Sequence, residues 1–254
     1  MRAPMSALGT RAARTHPAEE IGSMGPTGQG APTDFPGDSA LRRYACRATV
    51  DVPGSTSSWL ARIEAGWVYG VLPVAVVLLI DAPLLGASWT ALQLATYLHL
   101  PAYLVHQYEE HDRDRFRRFF NATLGGGFEV LSPRAVFITN VVVVWGLLTL
   151  ALYAAVHLGP GGALVAAYLV LANAAVHVVH AVYFRGYNPG LITALVVFVP
   201  LGSWTVSAAS STQASAAAHA LGLGTAVAVH ALIIVHVRRR RAILERVPPP
   251  PAGG

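Results

Sequence analysis

The chain contains no lysine. All 18 of its basic residues are Arg, which excludes Schiff-base mechanisms and leaves every permanent cation to a guanidinium. Charge of either sign is scarce: 12% of the 254 residues are charged, about half of the roughly 25% usual in soluble domains. The single cysteine, Cys46, lies outside the apolar part of the chain. An internal disulfide, a thiolate metal cluster and a Cys nucleophile in the core are therefore all excluded. No repeat relates the first half of the apolar region to the second, which weakens an inverted-repeat transporter reading.

What fills the sequence instead is apolar: 54% of residues are hydrophobic and mean hydropathy is +0.48. Residues 1–58 stand apart, rich in Pro, Gly, Ser and Thr with no sustained apolar period, and read as a disordered tail. The Pro-rich residues 247–254 read as a flexible C-terminal tail. Between them, residues 59–246 form one domain, in which apolar segments recur near 67–85, 89–108, 134–158, 162–184, 189–206 and 214–237. Each approaches the ~20 residues a helix needs to cross a bilayer. The fold class expected is all-α, a polytopic membrane bundle of about six helices. Pro101 predicts a kink in the second helix. Ser132-Pro133 and Asn188-Pro189 place a capping residue before a first-turn Pro, and so mark the starts of the third and fifth.

Orientation follows from the Arg residues. With six spans, the residues before the first span, the 109–133 loop with Arg134, the 185–188 turn and the C-terminus hold all 18, while the loops near 86–88, 159–161 and 207–213 hold none. The positive-inside rule then puts both termini in the cytoplasm. An Ala, Gly, Val and Arg-rich composition suggests GC-rich bacterial coding, hence a bacterial plasma membrane. A net charge of +5 needs no nucleic acid, because Arg113 to Arg118 and Arg238 to Arg241 suit an anionic lipid leaflet. The bilayer is the one partner the sequence implies.

Ionisable groups inside a span are costly and are read as functional by default. At the end of the second span His106 can share a face with either Glu109 or Glu110, three and four residues on, with His99 seven residues earlier on that stripe; Asn173, His177 and His180 share a face of the fourth. His106, His177 and His230 each lie seven or eight residues inward of an Arg, roughly 10–12 Å deep at 1.5 Å per residue. Three helices thus present imidazoles in one layer. With the carboxylates they make a nitrogen and oxygen donor set, without sulfur, for a divalent ion such as Zn, Fe or Mn. The candidate ligands are His106, His177, His180 and Glu110, with Glu109 or Glu110 as general base. Asn173, Tyr187, Thr193 and His230 complete the substrate side. The Tyr187 to Thr193 segment predicts a helix start in which Asn188 caps, Pro189 takes the first position, and the free amides favour a carboxylate or phosphate.

Three short motifs, His106-Gln107-Tyr108-Glu109-Glu110, Asn173-Ala174-Ala175-Val176-His177 and Tyr187-Asn188-Pro189-Gly190-Leu191-Ile192-Thr193, follow one another at the ends of expected spans. In this the sequence resembles the HXXEE-motif family of membrane proteins, whose function is unknown, over about residues 90–240. A looser similarity to CAAX-protease-like membrane proteins rests on the Glu-Glu pair; Arg113 sits one position short of the spacing those proteins show, so the likeness is an analogy.

The expected function is a membrane-embedded metal-dependent enzyme, a hydrolase acting on a lipid-like or amphipathic substrate. Two alternatives stay open. The same His and Glu residues can relay protons in a carrier without metal, or the polar groups can serve only to join helices in a scaffold. Each residue also has a plainer reading: Glu109 and Glu110 as a solvated helix end paired with Arg, His177 with Asn173 as an interhelical hydrogen bond, and His99 as a packing histidine.

Overall fold

The computed structural model describes residues 59–246. The expected tails, 1–58 and 247–254, lie outside the described residues. Within them the chain is all helical, with no strand. Five helices are long and apolar enough to cross a membrane: α1 Trp59–Gly86, α4 Pro133–His157, α5 Pro160–Phe184, α6 Leu191–Ser211 and α7 Ala216–Glu245. Two more, α2 Ala91–His111 and α3 Arg115–Thr123, lie between α1 and α4 in the chain. The six long helices correspond to the six expected segments. Residues 59–66 extend the first helix through a 3-10 stretch at Trp67–Gly70, and the last helix runs well past residue 237.

Local chemistry sets the helix starts. The Thr90 hydroxyl accepts from Gln93 N while the Gln93 side chain accepts from Thr90 N, a reciprocal capping box opening α2. The Ser132 hydroxyl accepts from Ala135 N, with Pro133 in the first turn of α4 as expected. Ser215 caps α7 in the same way. α2 continues through Pro101.

α2 is the polar helix, and it is not among the five of high hydropathy. His99, His106, Gln107, Glu110 and His111 are all buried on it. It packs against α1, α4, α5 and α6, so neighbouring helices cover the groups that lipid would not tolerate. α5 is the second central element, packed along α4, α6 and α7. Its buried Ala163, Ala166, Ala167 and Ala174 let those helices approach closely. Gly222 of α7 sits so near that a Cβ there would lie 2.8 Å from the Leu164 carbonyl oxygen. The main apolar core joins Tyr103, Leu148, Leu169, Val170 and Phe198 from α2, α4, α5 and α6. Both α4 and α6 contain a π-helical stretch, at Ile138–Val144 and Ala194–Phe198, each beside the polar end of α2. Such insertions re-aim side chains and recur at functional sites.

Candidate metal centre

The C-terminal turns of α2 deliver His106 and Glu110 to one face, four residues apart. The next-to-last turn of α5 brings His177 against them. The imidazole centroids of His106 and His177 are 5.0 Å apart. One ligand atom from each of His106, Glu110 and His177 lies within 4.8 Å of the others, and all three residues are buried. Nε2 of His106 is 3.6 Å from Glu110 Oε2, and Nε2 of His177 is 3.6 Å from Glu110 Oε1.

Hydrogen bonds behind the rings determine what those nitrogens can do. Asn188 Nδ2 donates to the His177 carbonyl at 2.9 Å, which turns Asn188 Oδ1 toward the ring, 2.6 Å from His177 Nδ1. An amide oxygen only accepts, so Nδ1 carries the proton and Nε2 keeps its lone pair. A longer chain holds His106. The Thr193 hydroxyl has a single proton, donated to the Glu109 carboxylate in a short charge-assisted bond. His106 Nδ1, 2.8 Å from Thr193 Oγ1, must then be the donor, and its Nε2 is also a bare lone pair. That nitrogen is fully buried with no hydrogen-bond partner.

His111 adds a third imidazole that the sequence reading did not single out. Trp145 Nε1 donates to Gln107 Oε1 at 2.8 Å, and Gln107 Nε2 donates to Asn140 Oδ1 at 3.0 Å. An indole N–H can only donate, so the direction of the chain is set. Asn140 Nδ2 then donates to the Val136 carbonyl and toward His111 Nε2 at 3.2 Å. The same nitrogen lies 3.1 Å from Glu110 Oε2, the shorter of its two contacts. A proton on Nε2 binds the carboxylate at that separation, and an unprotonated Nε2 there would call for a cation. Gln107, Asn140 and Trp145 were legible in the sequence only as polar or aromatic residues in apolar segments; their linkage is a product of the fold.

Glu109 points the other way along α2. Its Oε1 accepts from Tyr187 Oη at 2.8 Å and Ile192 N at 3.2 Å; its Oε2 accepts from Thr193 N at 2.8 Å and from the Thr193 hydroxyl. The carboxylate expected at the free amides of the fifth helix is thus supplied by the protein itself. Burial, and next the bond to Glu109, push the Tyr187 phenol up to about 12. Asn188, expected as the cap of that helix, faces His177 instead, and α6 begins at Leu191 after Gly190 in a left-handed conformation, φ 96°. The reason is competition for one side chain: Asn188 is buried and both ends of its amide are engaged by His177.

The remaining residues singled out from the sequence lie around this cluster. His180, one turn further along α5, contacts the rings of Phe120 and Phe184 and is outside the three-residue group. His230 Nδ1 bonds the Ala226 carbonyl of its own helix at 2.8 Å. Asn173 Nδ2 donates to Tyr103 Oη at 3.3 Å, and its buried Oδ1 has no partner. His230 and Asn173 line a cavity of about 90 Å³ whose wall includes Glu110 and His111. His99 Nδ1 bonds the Ala95 carbonyl, well up α2 from the cluster.

Gly190 explains how the rings come so close to the α5–α6 turn. A Cβ at this position would lie 2.7 Å from His177 Cε1 and 2.8 Å from His106 Cε1. Positive φ and absence of a side chain are both required there.

Residues 97–205 match the model of a family described as "Protein of unknown function with HXXEE motif". That span contains all three motifs and every residue of the three-residue group. No curated protein and no solved structure matches the chain.

Proposed function

We propose that the chain is a membrane-embedded, metal-dependent enzyme, a hydrolase acting on a lipid-like or amphipathic substrate. His106 Nε2, His177 Nε2 and Glu110 are the ligands of a divalent ion such as Zn, Fe or Mn. The observation that carries this reading is the tautomer state of the two rings. Each donates Nδ1–H to a fixed oxygen, Thr193 Oγ1 or Asn188 Oδ1, and aims an unprotonated Nε2 at one buried carboxylate. Backing partners of this kind orient and strengthen His ligands at metal centres. A buried imidazole nitrogen with no partner is otherwise a cost of about 1–3 kcal/mol.

A divalent ion at such a site lowers the pKa of bound water to about 7 and polarises a carbonyl or phosphoryl oxygen. The protein's own groups do the rest. Glu109, fully engaged at the start of α6, positions Thr193 and through it His106. His111 Nε2, 3.1 Å from Glu110 Oε2, is placed to share a proton with it. Tyr187 and Thr193 shape the neighbouring turn. His180 lies outside the first ring of contacts in this reading, and His230 and Asn173 line the space a substrate group would enter.

The topology we propose has six crossings, α2 being the sixth, with both termini on the cytoplasmic side of a bacterial plasma membrane. It is supported by the confinement of Arg to alternate connections. The 3.1 Å approach of His111 Nε2 to Glu110 Oε2 also suits a second reading, in which a shared proton takes the place of the ion and the site relays protons in a carrier.

The test is the metal content of detergent-purified protein, wild type against His106→Ala. About one transition-metal ion per chain in the wild type, lost in the variant, is expected. Wild type that binds no such ion, yet shows proton flux in liposomes that His106→Ala removes, would replace the enzyme with the carrier.

A further inference from the structure

The cavity at Glu110 is not closed on all sides. Four of its lining residues, Leu131, Thr139, Val229 and Ile233, also line a second cavity of about 430 Å³ between α4 and α7. That one shares Leu232 and His236 with a third space, of about 440 Å³, bordered by Arg239 and Arg240. The three adjoin, each sharing walls with the next, and together trace a slot along the flank of α7. It exists because α7 packs principally along α5 and leaves its other flank open toward the π-helical stretch Ile138–Val144 of α4.

The slot has two ends of different chemistry. Its outer walls are apolar and exposed, with Ile138 at 42%, Leu232 at 69% and Ile243 at 62% relative exposure, as suits contact with hydrocarbon. Its mouth carries Arg134, Arg239, Arg240 and His236, and no carboxylate lines the second or third space. The acidic partner nearest to Arg134 is Glu64, at 3.8 Å and outside the slot. At its inner end stand Glu110, His111 and the partnerless Oδ1 of Asn173. Asn140 follows Arg134 by six residues, so the mouth and the cluster are about 9 Å apart along α4 at 1.5 Å per residue.

We infer that the slot between α4 and α7 is a lateral entrance from the bilayer for a single-chain amphiphile with an anionic head. The head is held by Arg134, Arg239 and Arg240, and the chain lies along Ile138, Val229 and Leu232 toward Glu110. The inference rests on the metal-enzyme reading for what the inner end does, and stands on the slot itself for what enters. Guanidinium groups bind a carboxylate or phosphate in bidentate fashion. The apolar walls exclude a free inorganic anion as the natural occupant, because it would use only the mouth.

The experiment uses full-length protein in zwitterionic liposomes and three photoreactive probes with the same long chain and a mid-chain diazirine: a carboxylate, the neutral alcohol and a trimethylammonium analogue. Mass spectrometry should map carboxylate labelling to residues 138–143 and 229–235, with much weaker labelling by the other two. Arg239→Gln with Arg240→Gln, exposed changes that leave the core intact, should reduce it about tenfold, the loss of one or two charge-assisted bonds. Val229→Trp should block labelling while metal content stays at the wild-type level. His106→Ala should lose metal and keep the label. Equal labelling by all three probes, or labelling indifferent to both the Arg pair and Val229→Trp, would overturn the entrance. A labelled slot in metal-free wild type would instead overturn the metal reading alone.

Discussion

Gly190→Ala is the sharpest perturbation of the cluster, because it adds one methyl group and removes no polar contact. The new Cβ would stand 2.7 Å from His177 Cε1 and 2.8 Å from His106 Cε1. Carbon atoms pack at about 3.5–4.0 Å, so the rings or the turn must retreat by roughly 0.7–1.3 Å. Neither ring is free to do so: His106 is 0% and His177 2% exposed, and each is tied at Nδ1. Metal ligands tolerate displacement of only about 0.2 Å. Disturbing the groups that orient a ligand typically costs about 10–100-fold in affinity, and the loss here should reach at least the upper end. The φ of 96° adds strain of about 1–2 kcal/mol, which lowers Tm by roughly 2–8 °C for a domain of this size. Gly146→Ala is the control, since a Cβ there meets nothing within 4 Å. Competition titration against a fluorescent chelator reads the affinity, and thermal unfolding in detergent reads the stability. A Gly190→Ala protein that unfolds slightly earlier but binds metal as tightly as wild type would refute the placement of His106 and His177 as ligands.

Three further outcomes are expected. Glu109→Gln turns an amide N–H toward donors at the start of α6 and should lower stability by about 1.5–3 kcal/mol, the worth of bonds to a charged acceptor, with metal binding weakened only through Thr193; Glu110→Gln should lose the metal outright, and equal loss in both would make Glu109 a ligand after all. Thr193→Val should weaken metal binding by about 10–100-fold and Thr193→Ser should restore it; no difference between the two would show that the hydroxyl does not hold His106. Tyr187 has a folded-state pKa of about 12, above its unfolded value near 10, so its contribution to stability is complete below pH ~10 and is lost as pH rises through 12. Absorbance titration should show a phenolate transition near pH 12 that Tyr187→Phe removes, and a variant that instead loses part of the transition near pH 10 would disprove the Tyr187–Glu109 contact.

Composition and spacing alone determined that the described chain is helical, that its apolar segments are of membrane-crossing length, and that His106, Glu110 and His177 merit attention. The reason is that each of these properties is local: helix length is counted along the chain, a helix face follows from residues three or four apart, and depth is measured from the next Arg. Ser132 before Pro133 was readable as a helix start for the same reason. Partner choice was not readable. Asn188 has the right type and position to cap α6, but a buried imidazole competes for it, and Glu109, 84 residues before Thr193, takes over the helix end. The likeness of adjacent Glu109 and Glu110 in sequence conceals opposite surroundings, because consecutive side chains on a helix diverge by about 100°. His111 carried no local signal; the fold sets it 3.1 Å from Glu110, beside the chain that runs from Trp145 through Gln107 to Asn140. Only tertiary structure settles which oxygen backs each ring, and those oxygens decide whether a histidine offers a proton or a lone pair.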